Sequence, residues 1–221
     1  MDELISQRLA ATLDRIEAAA NRSGRSAGDV LLLAVTKGHP AMTVATAYEA
    51  GHRQFGESRA QELVAKAAEL PADIEWHFIG PLQRNKVKSV RPLVVALHSL
   101  DRDSLAIGWG AGPSALVQIR LGGEPTKHGY EPHDAHRAVA HAIGAGVPVA
   151  GLMAIPPAAG EGEEPRRWFA TLRALRDEIA REFPSVWHLS MGMSDDFEEA
   201  IEEGATMVRV GSAIFGPRNQ H

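Results

Sequence analysis

Eight short apolar runs recur along the chain, and most are separated by a stretch with helical spacing. The runs cover residues 30–36, 53–56, 74–79, 93–97, 115–121, 147–155, 186–189 and 207–210. Helix-like stretches cover 42–50, 59–70, 132–143, 166–183 and 195–203. Strands alternating with helices imply βαβ units and a parallel sheet. Eight such strands in 221 residues fit a closed barrel. The alternative is an open doubly wound sheet. Its dinucleotide-binding version needs a Gly-x-Gly-x-x-Gly after the first strand, and none stands there. The expected fold is therefore α/β, a single (β/α)8 TIM barrel spanning residues 1–221. Leu4, Leu9, Leu13 and Ile16 recur at helical spacing, which predicts an extra N-terminal helix over 2–22. Residues 1–28 would form that helix and a linker to the first strand.

Punctuation between the elements is legible. Gly51 and Gly204 each follow a helix-like stretch, where a left-handed C-terminal cap belongs. Pro40 suits a first helical turn. Ser58 and Gln61 have the spacing of a capping box, and Ser194 precedes Asp195 and Asp196 as an N-cap would. Two Gly/Pro-rich segments, 121–132 and 156–165, read as loops, the second a candidate lid.

Composition narrows the function classes. The net charge is −5, and no basic face suited to nucleic acid stands out. The absence of cysteine excludes disulfides, thiolate catalysis and thiolate metal sites. The charged N-terminus lacks the apolar core of a signal peptide, and no run approaches the ~20 apolar residues of a membrane span. A cytoplasmic address is expected, with no membrane partner.

In a parallel barrel, functional groups gather at the C-terminal ends of the strands. The first strand ends in Lys37, the second in Gly56-Glu57-Ser58, and the third carries His77, Ile79 and Gly80. The last two strands lead into Ser190-Met191-Gly192-Met193-Ser194 and Gly211-Ser212-Ala213. Loops after strands seven and eight often bind phosphate in barrels. Glycine lets an anion approach backbone N–H groups. Ordinary turns have the same composition, so the argument rests on the two loops occurring together.

Arg209 interrupts a β-branched run, Met-Val-Arg-Val. Strand alternation sets it opposite Val208 and Val210, pointing into the barrel if the valines face helices. A buried guanidinium needs a partner. It would be either a carboxylate such as Glu57 or an acceptor on a bound ligand. Lys37 has a similar choice. It can snorkel into solvent, bind an anion, or act as an imine-forming amine. An imine-forming lysine, a phosphate cup and a partner for a ring nitrogen together make a pyridoxal phosphate site. His133, His136 and His141 sit on a helix-like stretch without evident acidic partners, and read as a solvated face.

Several ordered blocks carry a resemblance. They are AVTKGHP, HRQFGESRAQEL, IEWHFIGPLQRNKVK, GLMAIPP and LSMGMSDDFEEAIEEGATMVRVGSAIFG. Together they resemble the pyridoxal phosphate homeostasis proteins from about residue 30 to 217. The resemblance implies a barrel similar to the N-terminal domain of alanine racemase. It implies pyridoxal 5′-phosphate as cofactor, held as a reversible Schiff base on Lys37. Ser190, Gly192, Met193, Gly211 and Ser212 would line the phosphate cup, and Arg209 would face the pyridine nitrogen. Lys127 matches a lysine implied as a secondary contact. The chain departs from the family pattern at Gly38-His39, where many members have a second Lys or Thr. It departs again at Ser58, where Asn is common.

The resemblance further implies a carrier that buffers or delivers the cofactor, with apo-enzymes as transient partners. Arginine can only donate to the ring nitrogen, which weakens the ring as an electron sink. The chain ends soon after Gly216, leaving no room for the second domain that lets racemases dimerise, so a monomer is expected. The alternatives are a weak fold-type III enzyme, a racemase or lyase, and more distantly a Schiff-base aldolase. No catalytic residue and no metal ligand are assigned.

Overall fold

A computed structural model describes residues 2–122, 128–157 and 165–217. Lys127 and most of the 156–165 segment lie outside the described residues. The chain opens with helix α1 (Asp2–Arg22) and then enters the sheet. The strands are β1 (Leu31–Val35), β2 (Gln54–Glu57), β3 (Glu75–Phe78) and β4 (Val94–Leu100), followed by β5 (Ser114–Ile119), β6 (Val149–Ala154), β7 (His188–Ser190) and β8 (Met207–Val210). Every neighbouring pair is parallel, and β8 closes on β1 with Leu31 opposite Met207 and Leu33 opposite Arg209. This is the closed eight-stranded barrel that the alternation predicts.

Helices α2 (Ala41–Glu49), α3 (Ala60–Glu69), α6 (Ala135–Gly144), α7 (Arg166–Ala180) and α8 (Phe197–Glu202) occupy the predicted stretches. Three short helices have no counterpart in the sequence reading: α4 (Val87–Val90), α5 (Asp103–Trp109) and α9 (Ser212–Phe215). One or two turns are too short to build a periodic apolar stripe.

Alternation sorts the strand residues into two cores. Leu32, Ala34, Phe55, Trp76, Phe78, Leu189, Val208 and Val210 face the helices in the main core. Each fully buried valine, leucine or phenylalanine among them contributes about 1.5–3 kcal/mol. Leu116, Met153 and Met207 form a separate small cluster, with Leu31 against it, inside the barrel. Arg209 shares the inward face of β8 with Met207, as the position of its two valines requires.

Helix α1 buries two of the four residues that mark its spacing, Leu9 and Ile16, and not the other two. Ile5, Leu9, Thr12, Ile16, Ala19 and Ala20 face inward, whereas Leu4 and Leu13 are exposed. The helix packs on α2, α8 and α9, and Arg15 and Arg22 pair with Glu198 and Glu202. Gly51 and Gly204 take φ of +93° and +98°, where a residue with a Cβ would be strained. The two expected N-caps do not form. Arg59, not Ser58, precedes α3, and Asp196 precedes α8, neither with a side-chain cap bond. The Ser194 hydroxyl is engaged elsewhere, as described below. His136 also departs from expectation, because it meets Glu182 at 2.8 Å on the surface.

Candidate functional site at the barrel mouth

Thr36 and Gly38, which flank Lys37, are both held from α3 and the end of β2. The buried Thr36 hydroxyl donates to Glu57 Oε1 at 2.9 Å, and its carbonyl accepts from Lys66 Nζ at 2.8 Å. The Gly38 N–H donates to Glu62 Oε2 at 2.8 Å. Lys66 closes the cluster through an ion pair with Glu57, and both side chains are buried. Glu57 therefore points away from the barrel interior. It is not the partner of Arg209, because alternation along β2 puts Phe55 and Glu57 on the helix side. The position of the Lys37 backbone is set by bonds on either side of it.

A cavity of about 720 Å³ opens beside Lys37 at the C-terminal ends of the strands. Lys37, Met193, Arg209, Gly211 and Ser212 line it, together with His39, Ser58, Ser194, Ile79 and Ile155. Two predicted residues, Ser190 and Gly192, are not among its lining. Ser190 is fully buried, and its hydroxyl accepts from Arg209 Nη1 at 2.7 Å. Gly192 takes φ of +92°, and a Cβ there would stand 2.6 Å from the Ala200 methyl. Its glycine is explained by the close approach to α8. Its carbonyl accepts from the Arg209 backbone N–H at 3.0 Å.

Arg209 is 4 % exposed. Its second side-chain bond runs from Nη2 to the Ala154 carbonyl at 2.9 Å. It has no ion pair among the described residues. Burial lowers its pKa to about 10, opposed by the more distant Asp196 carboxylate. The group still carries its proton at neutral pH. Two of its five N–H groups are used by the protein, so the others are available to the cavity.

The loops after β7 and β8 are tied together by Ser194. Its hydroxyl oxygen accepts from the backbone N–H of Gly211 at 3.3 Å and of Ala213 at 3.4 Å. Two backbone donors already converge on an oxygen at the mouth. A Cβ on Gly211 would lie 3.3 Å from the Val35 carbonyl oxygen, so this loop lies close against the end of β1. The Met193 N–H is capped by Asp196 Oδ1 at 2.6 Å, and burial raises the pKa of that carboxyl. A smaller hollow of about 600 Å³ adjoins the cavity and shares Ser58, Arg59 and Pro81 with it. Arg59 and Arg102 in its wall are matched by Glu62 and Asp101.

The barrel interior beneath Arg209 is polar, and most of it escaped the sequence reading. His98 and Gln54 join His77 and Ser190 there. His98 stands in Val-Val-Ala-Leu-His-Ser-Leu, the same kind of polar intrusion as Arg209 in its own strand. That intrusion was the available signal.

A parallel barrel with a lysine after its first strand, an arginine in its last and Gly/Ser loops after strands seven and eight defines a class of protein. The match to a family model for the N-terminal domain of alanine racemase, over residues 8–219, states that class. A protein of Aquifex aeolicus named pyridoxal phosphate homeostasis protein is 43 % identical over 222 residues, covering 96 % of this chain and 97 % of its own. One of the same name from Escherichia coli is 40 % identical over 230 residues, covering 97 % of each. PipY of Synechococcus elongatus, solved with pyridoxal phosphate bound, superposes with a TM-score of 0.79 at 36 % identity, covering 96 % of this chain and all of PipY. The chain belongs to the pyridoxal phosphate homeostasis protein family.

Proposed function

We propose that this protein holds pyridoxal 5′-phosphate reversibly at the barrel mouth and buffers or delivers it. The observation that carries the reading is that one cavity is lined by Lys37, Arg209 and the 211–212 backbone. The residues fit the group. An amine stands where an aldehyde would be held. Gly211 and Ala213 N–H groups converge on an oxygen position, and a buried guanidinium keeps N–H groups for a ring nitrogen. When bound, the cofactor supplies an aldehyde that condenses reversibly with an amine. The Lys37 amine would hold it, and the loops at 193–194 and 211–213 would take its phosphate. Arg209 would donate to the ring nitrogen and leave it unprotonated, because a guanidinium gives up no proton there. Ser190 and Gly192 would contribute by placing Arg209 and the 193–194 loop.

A carrier reading is favoured over an enzyme by what the cavity wall contains. The chain has two tyrosines, and both hydroxyls are engaged elsewhere. Tyr48 donates to Asp73 at 2.7 Å and Tyr130 to Asp103 at 2.8 Å. Neither lines the cavity, so no tyrosine stands ready as a second acid or base. A monomer in the cytoplasm, handing cofactor to apo-enzymes through transient contact, completes the proposal. No helix among the described residues is long and apolar enough to cross a membrane.

The test is borohydride reduction of protein incubated with pyridoxal phosphate, followed by peptide mass spectrometry. A pyridoxyl group is expected on Lys37, with none after Lys37→Ala in a variant that retains its fold. Label on other lysines but not Lys37 would refute the assignment. Steady turnover of an amino acid at about 1 s⁻¹ or faster would overturn the carrier reading.

A further inference from the structure

A hydrogen-bonded chain crosses the barrel interior from the mouth to the opposite end. Arg209 Nη1 donates to Ser190 Oγ at 2.7 Å. Ser190 Oγ is 2.9 Å from His98 Nδ1, and His98 Nε2 is 3.0 Å from His77 Nδ1. His77 Nε2 is 2.8 Å from Gln54 Oε1, and the Gln54 amide nitrogen donates to Glu75. Gln54 and Glu75 are the first residues of β2 and β3, and Glu75 is exposed.

The direction of this chain can be assigned from its ends, since ring protons follow from the network. The Glu75 carboxylate only accepts, so Gln54 must turn its NH2 to it and its oxygen to His77. His77 then carries its proton on Nε2 and accepts at Nδ1. His98 must in turn donate from Nε2 and accept at Nδ1. Ser190 therefore gives its proton to His98, which leaves its oxygen lone pairs for a donor. The donor there is Arg209, which cannot accept. The two ends, fixed independently, demand the same direction. The opposite direction would set the Gln54 oxygen against a carboxylate and leave the Ser190 proton without an acceptor.

From this network we infer that His98 is a positioning residue. Through the Ser190 hydroxyl it fixes how Arg209 presents its free N–H groups to the cavity. Glu75, at the far end, sets the sense of the relay. The role at the cofactor rests on the reading that Arg209 faces the ring nitrogen. Both imidazoles are neutral, as one-donor, one-acceptor links require. Burial lowers the His77 pKa to about 4, and burial with neighbouring His77, Arg209 and His188 holds His98 well below its ordinary value. The ordinary explanation for such a cluster, a satisfied polar core, leaves the direction of the chain free. The inference does not.

Two measurements decide it. In cofactor-free protein labelled with 15N-histidine, long-range 1H–15N spectra should show His77 and His98 both protonated on Nε2. A proton on Nδ1 of either ring would overturn the relay. Separately, the affinity for pyridoxal phosphate should fall about tenfold in His98→Leu, which breaks the line. It should stay within about threefold of wild type in His98→Gln, whose amide can accept from Ser190 and donate to His77. Equal losses in the two variants, or none in either, would overturn the positioning role. Should His98→Leu fail to fold, Ser190→Ala removes the same link and is expected to lose affinity similarly. Wild-type protein that does not take up pyridoxal phosphate would instead refute the cofactor assignment. The tautomer result, read without cofactor, would stand apart from that failure.

Discussion

Two cations are buried in this barrel almost equally, and their surroundings differ. Lys66, on the helix side of the sheet, is 5 % exposed and Arg209, inside the barrel, 4 %. Lys66 is matched by the buried Glu57, approached by Glu62 at 3.5 Å, and bonded to the Thr36 carbonyl. Arg209 has only neutral oxygens, a serine hydroxyl and a backbone carbonyl. Removing a cation from water is costly unless a counter-charge and hydrogen bonds offset the loss. Where the offset is complete within the protein, the cation is structural, and here it fixes Thr36 beside Lys37. Where it is incomplete and the cation borders a cavity, the site has room for an acceptor from a ligand, the role proposed above for Arg209.

Breaking the matched pair should give the largest effect. Glu57→Ala leaves the buried Lys66 with only the longer approach of Glu62 as counter-charge and removes the acceptor of the Thr36 hydroxyl and the Ser58 N–H. A loss of about 3–5 kcal/mol is expected in urea unfolding. Glu57→Leu combined with Lys66→Met should recover most of it, because the pair then leaves no uncompensated charge. Borohydride trapping at Lys37 should fall in Glu57→Ala, since the residue before Lys37 loses an anchor. A single variant as stable as wild type would mean that this pair is not structural.

The interior histidines give the next effect, through pH. Burial lowers the His77 pKa from about 6.5 to about 4, helped by the nearby His188. Between those values the native ring is neutral while the unfolded chain takes a proton. The unfolded state then binds more protons, so stability falls as pH drops below about 6.5 and the loss from His77 levels off near pH 4. The difference amounts to about 3 kcal/mol. His98 shifts in the same direction and steepens the fall. Urea unfolding at pH 7 and at pH 4.5 measures it, with His77→Gln as control. The variant should show a flatter pH dependence, and an unchanged slope would remove His77 as the cause.

The outer half of this comparison was more legible than the inner half. The strands show in the sequence because six of the eight runs are ended by Gly, Pro or a charged residue, and the other two by His98 and Ser190. Arg209 and Lys37 show because they break such runs. Glu57 stayed open as one of two possible partners of Arg209, although strict alternation from Phe55 already sends it outward and excludes it. The α1 stripe was half right: Leu9 and Ile16 are buried, whereas leucines at 4 and 13 suggest a face that packing against α8 and α9 does not use. The relay was invisible for a different reason. His98 and Ser190 are 92 residues apart and meet only through the register of the closed barrel. Hydrophobic patterning carries no information on that register.

Arg209→Met provides the smallest stability change and the sharpest contrast with Glu57→Ala. It deletes two hydrogen bonds from a charged donor, which destabilises the fold. It also relieves the burial of a cation without a counter-charge, which offsets that loss. The cofactor-free fold should therefore change by no more than about 1 kcal/mol in urea unfolding. Affinity for pyridoxal phosphate should fall by at least about tenfold, because the methionine cannot donate to a ring nitrogen. The two variants thus separate the roles by opposite ratios: Glu57 acts mainly on the fold, Arg209 mainly on the ligand. If Arg209→Met unfolded as readily as Glu57→Ala while binding survived, Arg209 would be a structural cation whose neutral partners suffice. Its exposure to the cavity would then be incidental.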